Sequence, residues 1–183
     1  MPRTQDDAAL LRDWAGGSQG AGEVLFKRYV QRLARFFRAK GFVDIDDLVQ
    51  TTFLSCLEGR ARLQEHSSFH VFLFAIARHK ALDALRARYQ RHRDFDPLER
   101  SVADLEPSPS QLVIADLQRQ QLHQELRRLP VDLQIAVELH YWEGLSGSEL
   151  AEALDLPLGT VKTRLRRAKQ EVERALQRMQ PTN

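Results

Sequence analysis

Apolar side chains recur every three or four positions along most of this 183-residue chain, and glycine and proline fall almost entirely in the gaps between those segments. A spacing of three and four keeps one face of an α-helix apolar, whereas a half-buried strand needs strict alternation. No stretch alternates. The chain is therefore expected to be all-α. The breaks place helices over residues 6–15, 21–40, 44–58, 69–88, 109–129, 133–143, 149–154 and 159–179. Gly16 and Gly17 stop the first, Gly41 the second and Gly59 the third. Asp44 can cap the third, and Ser67 or Ser68 the fourth. Ser146 with Glu149 three residues later reads as a capping box. Residues 60–68 read as a polar loop.

Charge divides the chain into blocks that its net charge of +2 conceals. Residues 1–20 carry −1, residues 21–93 carry +7, residues 94–110 carry −4, and residues 111–183 carry equal numbers of acids and bases. A basic block, an acidic spacer and a balanced block suggest two modules and a polyanionic partner. The spacer holds Pro97, Pro107 and Pro109 and no apolar period, so it reads as a flexible or semi-extended linker. The division is 1–93, 94–110 and 111–183.

Composition narrows the function further. One cysteine, Cys56, excludes an internal disulfide and a multi-cysteine metal site and suits a reducing, cytoplasmic setting. The longest apolar run, residues 71–77, falls far short of the ~20 residues that span a bilayer. The first residues lack a hydrophobic signal segment. There is no phosphate loop, nucleophile elbow or metal-ligand spacing, and His66 and His70 lack a third ligand. No enzyme, cofactor or metal is expected.

The C-terminal block has the spacing of a helix-turn-helix: residues 145–154, a turn at 155–158, then a helix from 159. On that last helix Val161, Leu165, Ala168, Val172 and Met179 share a stripe about 60° wide. Thr160, Lys162, Thr163, Arg166 and Arg167 lie on the open side. Residues 158–170 hold five bases and no acid. Such a helix suits the major groove, with side chains near its N-terminus on base edges and cations on phosphates. The bland alternative is a solvated amphipathic helix in a bundle.

The N-terminal block is less explicit. Residues 78–93 carry six bases against Asp83 alone, and aromatic residues precede them. That mixture fits single-strand binding, where rings stack bases and cations follow the backbone. Phe69, Phe72 and Phe74 fit a core equally, and an all-apolar half-helix favours the core. Asp44, Asp46 and Asp47 supply more acid than a cap needs. The surplus either faces a basic partner or only solvates the helix end.

Together these residues resemble the extracytoplasmic-function group of bacterial sigma factors. Leu129-Pro130, Tyr141-Trp142-Glu143-Gly144-Leu145-Ser146, Glu149-Leu150-Ala151 and the run from Gly159 to Leu165 are similar to sigma region 4. The run from Asp44 to Phe53 is similar to region 2.2, and residues 69–86 to regions 2.3 and 2.4. The likeness extends from about Leu10 to Leu176. It implies two small helical domains, a region 2 bundle and a region 4 helix-turn-helix, joined by the acidic linker. It implies a transcription initiation factor that binds core RNA polymerase, through the β′ coiled coil and the β subunit, and directs it to promoter DNA. An anti-sigma factor commonly restrains such proteins.

By the same resemblance, Asp46, Asp47, Leu48, Gln50 and Phe53 grip the polymerase. His66, Ser67, Ser68, Arg78, His79, Lys80, Arg86 and Arg88 capture and hold the opened −10 strand. Thr160, Lys162, Thr163, Arg164, Arg166 and Arg167 read or grip the −35 duplex. The chain departs from the pattern at Phe72, where tryptophan is common, at Ala75, where a base is common, and at His79, where asparagine is common. A conventional dimeric regulator is the competing reading. It leaves residues 44–93 without a role.

Overall fold

The computed structural model describes residues 6–65, 68–89, 96–103 and 124–179, which are helical apart from turns, short connections and one isolated bridge between Ser101 and Pro130. Helix α1 (Asp7–Ala15) begins where the Asp6 side chain accepts from Ala8 N at 3.3 Å. Gly17 takes φ +102°, a conformation that favours glycine, and lets the chain reverse. Ser18 then caps α2 (Gln19–Arg38) by accepting from Ala21 N. Helix α2 starts and ends two residues earlier than its periodicity suggests, so Lys40 lies beyond its last turn.

Helix α3 spans Ile45–Glu58. Asp44 is its cap residue but makes no side-chain capping bond. Asp46 and Asp47 in the first turn complement the helix dipole instead. The expected loop at 60–68 holds a 3-10 helix over Arg60–Glu65. Ser68 Oγ accepts from Val71 N at 3.2 Å and opens α4 (Phe69–Tyr89).

In the C-terminal half, residues 124–128 are helical, and the rest of the helix expected at 109–129 lies largely outside the described residues. Helix α5 (Val131–Val137) passes into a π-helical turn at Glu138–Trp142. Helix α6 spans Gly147–Leu154 and α7 spans Leu158–Met179.

One continuous buried cluster runs through both halves. Leu25, Phe37, Phe53, Phe74 and Leu85 belong to it, and so do Val131, Ile135, Leu139, Leu150 and Leu154. Phe69, Phe72 and Phe74 are at most 2% exposed, so they build the core and are not free to stack bases. Helix α4 packs against α3 and also against α6. It is therefore buried on more than one side, which accounts for its lack of a single apolar stripe. Within the acidic connector, residues 96–103 are pinned to the start of the C-terminal half. Val131 N donates to Arg100 O and Asp132 N to Pro97 O, and Val102 is buried. No helix among the described residues is long and apolar enough to cross a membrane.

Candidate nucleic-acid interface

The helix-turn-helix is built from local signals. Ser146 Oγ accepts from Glu149 N at 3.3 Å, and Ser146 N donates to Glu149 Oε2 at 2.8 Å, which closes the capping box. These bonds to Ser146 hold the Glu149 carboxyl below the usual carboxylate range. Asp155 ends α6 in the left-handed region at φ 52°, and Leu156 N returns to Ala151 O at 2.9 Å. The turn releases the chain at Leu158, where α7 begins.

On α7, Val161 and Ala168 are fully buried, and Leu165 and Val172 are partly buried. Thr160, Lys162, Thr163, Arg166 and Arg167 are exposed. The face drawn from periodicity is thus the face the fold leaves open. Arg164 lies at its edge and turns inward. Its side chain is 14% exposed, and Nη1 sits 2.7 Å from Asp132 Oδ2.

The cations of α4 do not act as one face. Arg78 points inward, 12% exposed, with Nη2 3.8 Å from Asp132 Oδ1. Arg86 is exposed beside Asp83, and Arg88 is exposed and donates to Gly41 O at 3.2 Å. Lys80 is half-buried. Partial burial of the ring and the adjacent Arg78 charge lower the His79 pKa, which favours the neutral imidazole. Ser68 serves as the α4 cap, and His66 and Ser67 lie outside the described residues.

On α3, Asp46, Asp47 and Gln50 are exposed and Leu48 is half-buried. Phe53 is only 4% exposed, with its ring 6.2 Å from Trp14 and 5.3 Å from Phe26. It forms the floor of a shallow groove between α2 and α3, with Trp14, Gly22, Gln50 and Leu54 around it. Phe26 and Leu54 are the exposed apolar groups of that groove. A methyl group at Gly22 would meet the Trp14 indole at 2.5 Å, so the ring lies directly on the α2 backbone.

Sequence reasoning missed an acidic row beginning at Asp132. Glu138 is 1% exposed and pairs with the fully buried Lys40, and Gln134 donates to the same carboxylate at 2.7 Å. Burial lowers the Lys40 pKa, and the Glu138 charge opposes that shift. Glu143 accepts from Arg32 Nε at 2.6 Å and from Arg35 Nη2 at 2.7 Å, with His70 at 3.6 Å. Burial alone would raise the Glu143 carboxyl, but the nearby His70, the bond from Arg35 and the charge and bond of Arg32 outweigh it and hold it at about 2. The available signal was acid inside an apolar period: Glu138 sits among Leu133, Ile135, Ala136 and Leu139.

Two family models match: Sigma-70 region 2 over residues 25–91 and Sigma-70 region 4 over residues 119–172. The chain is 29% identical to the ECF RNA polymerase sigma-E factor of Haemophilus influenzae, covering 97% of this chain and 98% of that protein. It is 27% identical to the RNA polymerase sigma-H factor of Pseudomonas aeruginosa, covering 97% of each. Among solved structures, CnrH in complex with the cytosolic domain of CnrY matches with a TM-score of 0.65 at 27% identity, covering 93% of this chain and 97% of CnrH. The sigma factor RpoE of Bartonella quintana, solved with the anti-sigma factor NepR, shares the fold at a TM-score of 0.64 and 23% identity, covering 85% of this chain and 96% of RpoE. The matches to regions 2 and 4 in one chain, with likeness to such factors along almost its whole length, establish that it belongs to the extracytoplasmic-function group of the sigma-70 family, a group of transcription initiation factors.

Proposed function

We propose that this protein binds core RNA polymerase and directs it to promoters by gripping the −35 duplex and capturing the opened −10 strand. The observation that carries this reading is the open face of α7. Lys162, Thr163, Arg166 and Arg167 project together from a capped helix-turn-helix, on a stretch without acid. Thr160, Lys162 and Thr163 lie nearest the helix start, where a recognition helix meets base edges, and the arginines reach phosphates. Arg164 joins them only after leaving Asp132.

Residues 65–68 and residues of α4 hold the −10 strand. Unstacking costs a few kcal/mol, so capture needs polymerase to hold the bubble open. Asp46, Asp47 and Gln50 present an acidic and polar edge to the β′ coiled coil, with the groove floored by Phe53 beside it. The likeness to CnrH, solved with the cytosolic domain of CnrY, supports a protein partner that restrains the factor. The protein acts in the cytoplasm, without catalysis of its own, and residues 1–93 and 111–183 are its two working units.

In-vitro transcription with core polymerase on genomic DNA, with start sites mapped, tests this function. Polymerase-dependent starts that share a −35 and a −10 element are expected. Absence of such starts, or tight specific promoter binding by the free protein, overturns it.

A further inference from the structure

The 3-10 helix Arg60–Glu65 turns two cations outward from a well-anchored place. It packs on α1 and α3, and Leu63 fastens it to the core. A methyl group at Gly59 would lie 3.0 Å from Ser55 O and 3.4 Å from the Phe72 ring, so the element starts directly against α4. Arg62 N donates to Gly59 O at 2.8 Å and tightens the turn. Arg60 and Arg62 are both exposed. Arg60 Nη1 donates to Leu57 O at 3.0 Å, and neither guanidinium pairs with a carboxylate among the described residues. Lys27 and Arg86, exposed on neighbouring helices, are paired with Glu23 and Asp83.

The surface beside this pair is short of positive charge. Between Arg62 and Arg78 the sequence has no lysine or arginine. Ala75, which stands where a base is common in the family, is buried. Arg78 points inward to Asp132, Arg86 sits beside Asp83, and Arg88 donates to Gly41 O. A single strand is held along its phosphates by cations, and a strand at residues 65–68 finds none at the start of α4. Arg60 and Arg62 stand a few residues away on a fixed element. Their planar forks match the paired oxygens of a phosphate.

We infer that Arg60 and Arg62 form a clamp for the phosphodiester backbone of single-stranded DNA, seated beside residues 65–68 and supplying the charge that α4 lacks there. The inference rests on the promoter function proposed above and adds to it a binding site outside α4 and α7. Phosphate contacts carry no sequence information, so the clamp holds a strand without reading it.

The test uses the full-length protein. Arg60→Gln with Arg62→Gln removes the clamp, and Arg60→Lys with Arg62→Lys keeps its charge. Arg38→Gln with Arg100→Gln removes two exposed charges elsewhere. The probe is a fluorescein-labelled mixed-sequence single strand, read by anisotropy between about 50 and 200 mM salt. Loss of two phosphate contacts lowers the salt slope by about 1.4, so over that range wild-type affinity should fall about sevenfold more than that of the glutamine variant. The lysine variant should keep the wild-type slope. An unchanged slope in a glutamine variant with wild-type circular dichroism overturns the clamp, and so does a change no larger than that of the control. A wild type that leaves the strand unbound at the lowest salt overturns it too. Each protein is also given core polymerase, and start sites and open-complex lifetimes are measured. Shorter-lived open complexes at unchanged start sites support the clamp. Wild-type lifetimes in the glutamine variant overturn the clamp and leave the promoter function standing. A reduced slope, with no polymerase-dependent transcript from wild type, supports the strand-binding site and overturns the promoter function.

Discussion

Arg164 Nη1 lies 2.7 Å from Asp132 Oδ2, and this contact removes one cation from the open face of the helix-turn-helix. On the helical wheel Arg164 falls between the buried stripe of Val161 and Ala168 and the exposed set of Lys162, Arg166 and Arg167. Residues at such an edge are decided by their neighbours. The exposed members have no comparable internal claim on their charge, so they should carry most of the −35 contact.

Lys162→Ala and Arg166→Ala are therefore expected to weaken −35-dependent initiation by about 1–3 kcal/mol each where the side chain meets a base. Both side chains are exposed, so thermal unfolding should be unchanged. Transcription from promoters with intact and scrambled −35 elements separates this effect from a general loss of activity.

The Lys40–Glu138 pair joins the residue just past α2 to the π-helical turn, at 0% and 2% side-chain exposure. Removing one partner leaves a buried charge, so Lys40→Met alone should cost about 3–5 kcal/mol. The double variant Lys40→Met with Glu138→Leu should recover most of that loss. Urea unfolding of the two variants measures the difference.

Glu143 sets the acid limit of the contact with Arg32, Arg35 and His70. Its carboxyl is depressed from 4.5 to about 2 in the folded protein. The stabilisation it contributes is therefore complete above the unfolded value and is lost as pH falls from about 4.5 toward 2. The contribution of Glu143 to stability should be flat between pH 6 and 8. A thermal-unfolding series in which Glu143→Gln and wild type converge only at acid pH checks this.

Ser146 contributes both a hydroxyl acceptor and a backbone donor to the start of α6. Ser146→Ala should destabilise the helix-turn-helix by about 1 kcal/mol, the usual scale of an N-cap. Hydrogen exchange is expected to rise in residues 147–154 before it rises in α2 or α3.

Gly22→Ala places a methyl group 2.5 Å from Trp14 Nε1. The indole must move off α2, and the resulting repacking should cost about 1–3 kcal/mol. The groove floored by Phe53 changes shape with it, so binding to core polymerase should weaken while binding to duplex DNA does not. Parallel pull-down and anisotropy measurements distinguish these outcomes.

Several elements are legible in the amino-acid sequence. The stripe of Val161, Leu165, Ala168 and Val172 gave the buried side of α7, because helical periodicity alone decides which positions share a face. Ser146 and Glu149 marked the start of α6, because a capping box is closed by residues three apart. The 3-10 helix at 60–65 and the π-helical turn at 138–142 carried no such local signature. Asp44 looked like a cap by position, yet its side chain makes no capping bond.

The sequence by itself determined the all-helical class, the breaks, the open face of α7 and the likeness to regions 2 and 4. Those follow from interactions within a few residues of each other. The tertiary structure decided which charges remain free. Arg78, Arg164, Lys40 and Glu143 meet partners on elements far apart in the chain, so no local pattern predicts their pairing. Whether a cation faces DNA or an internal carboxylate is set by how the helices pack, because only packing excludes water around a pair and lets one acid outcompete solvent.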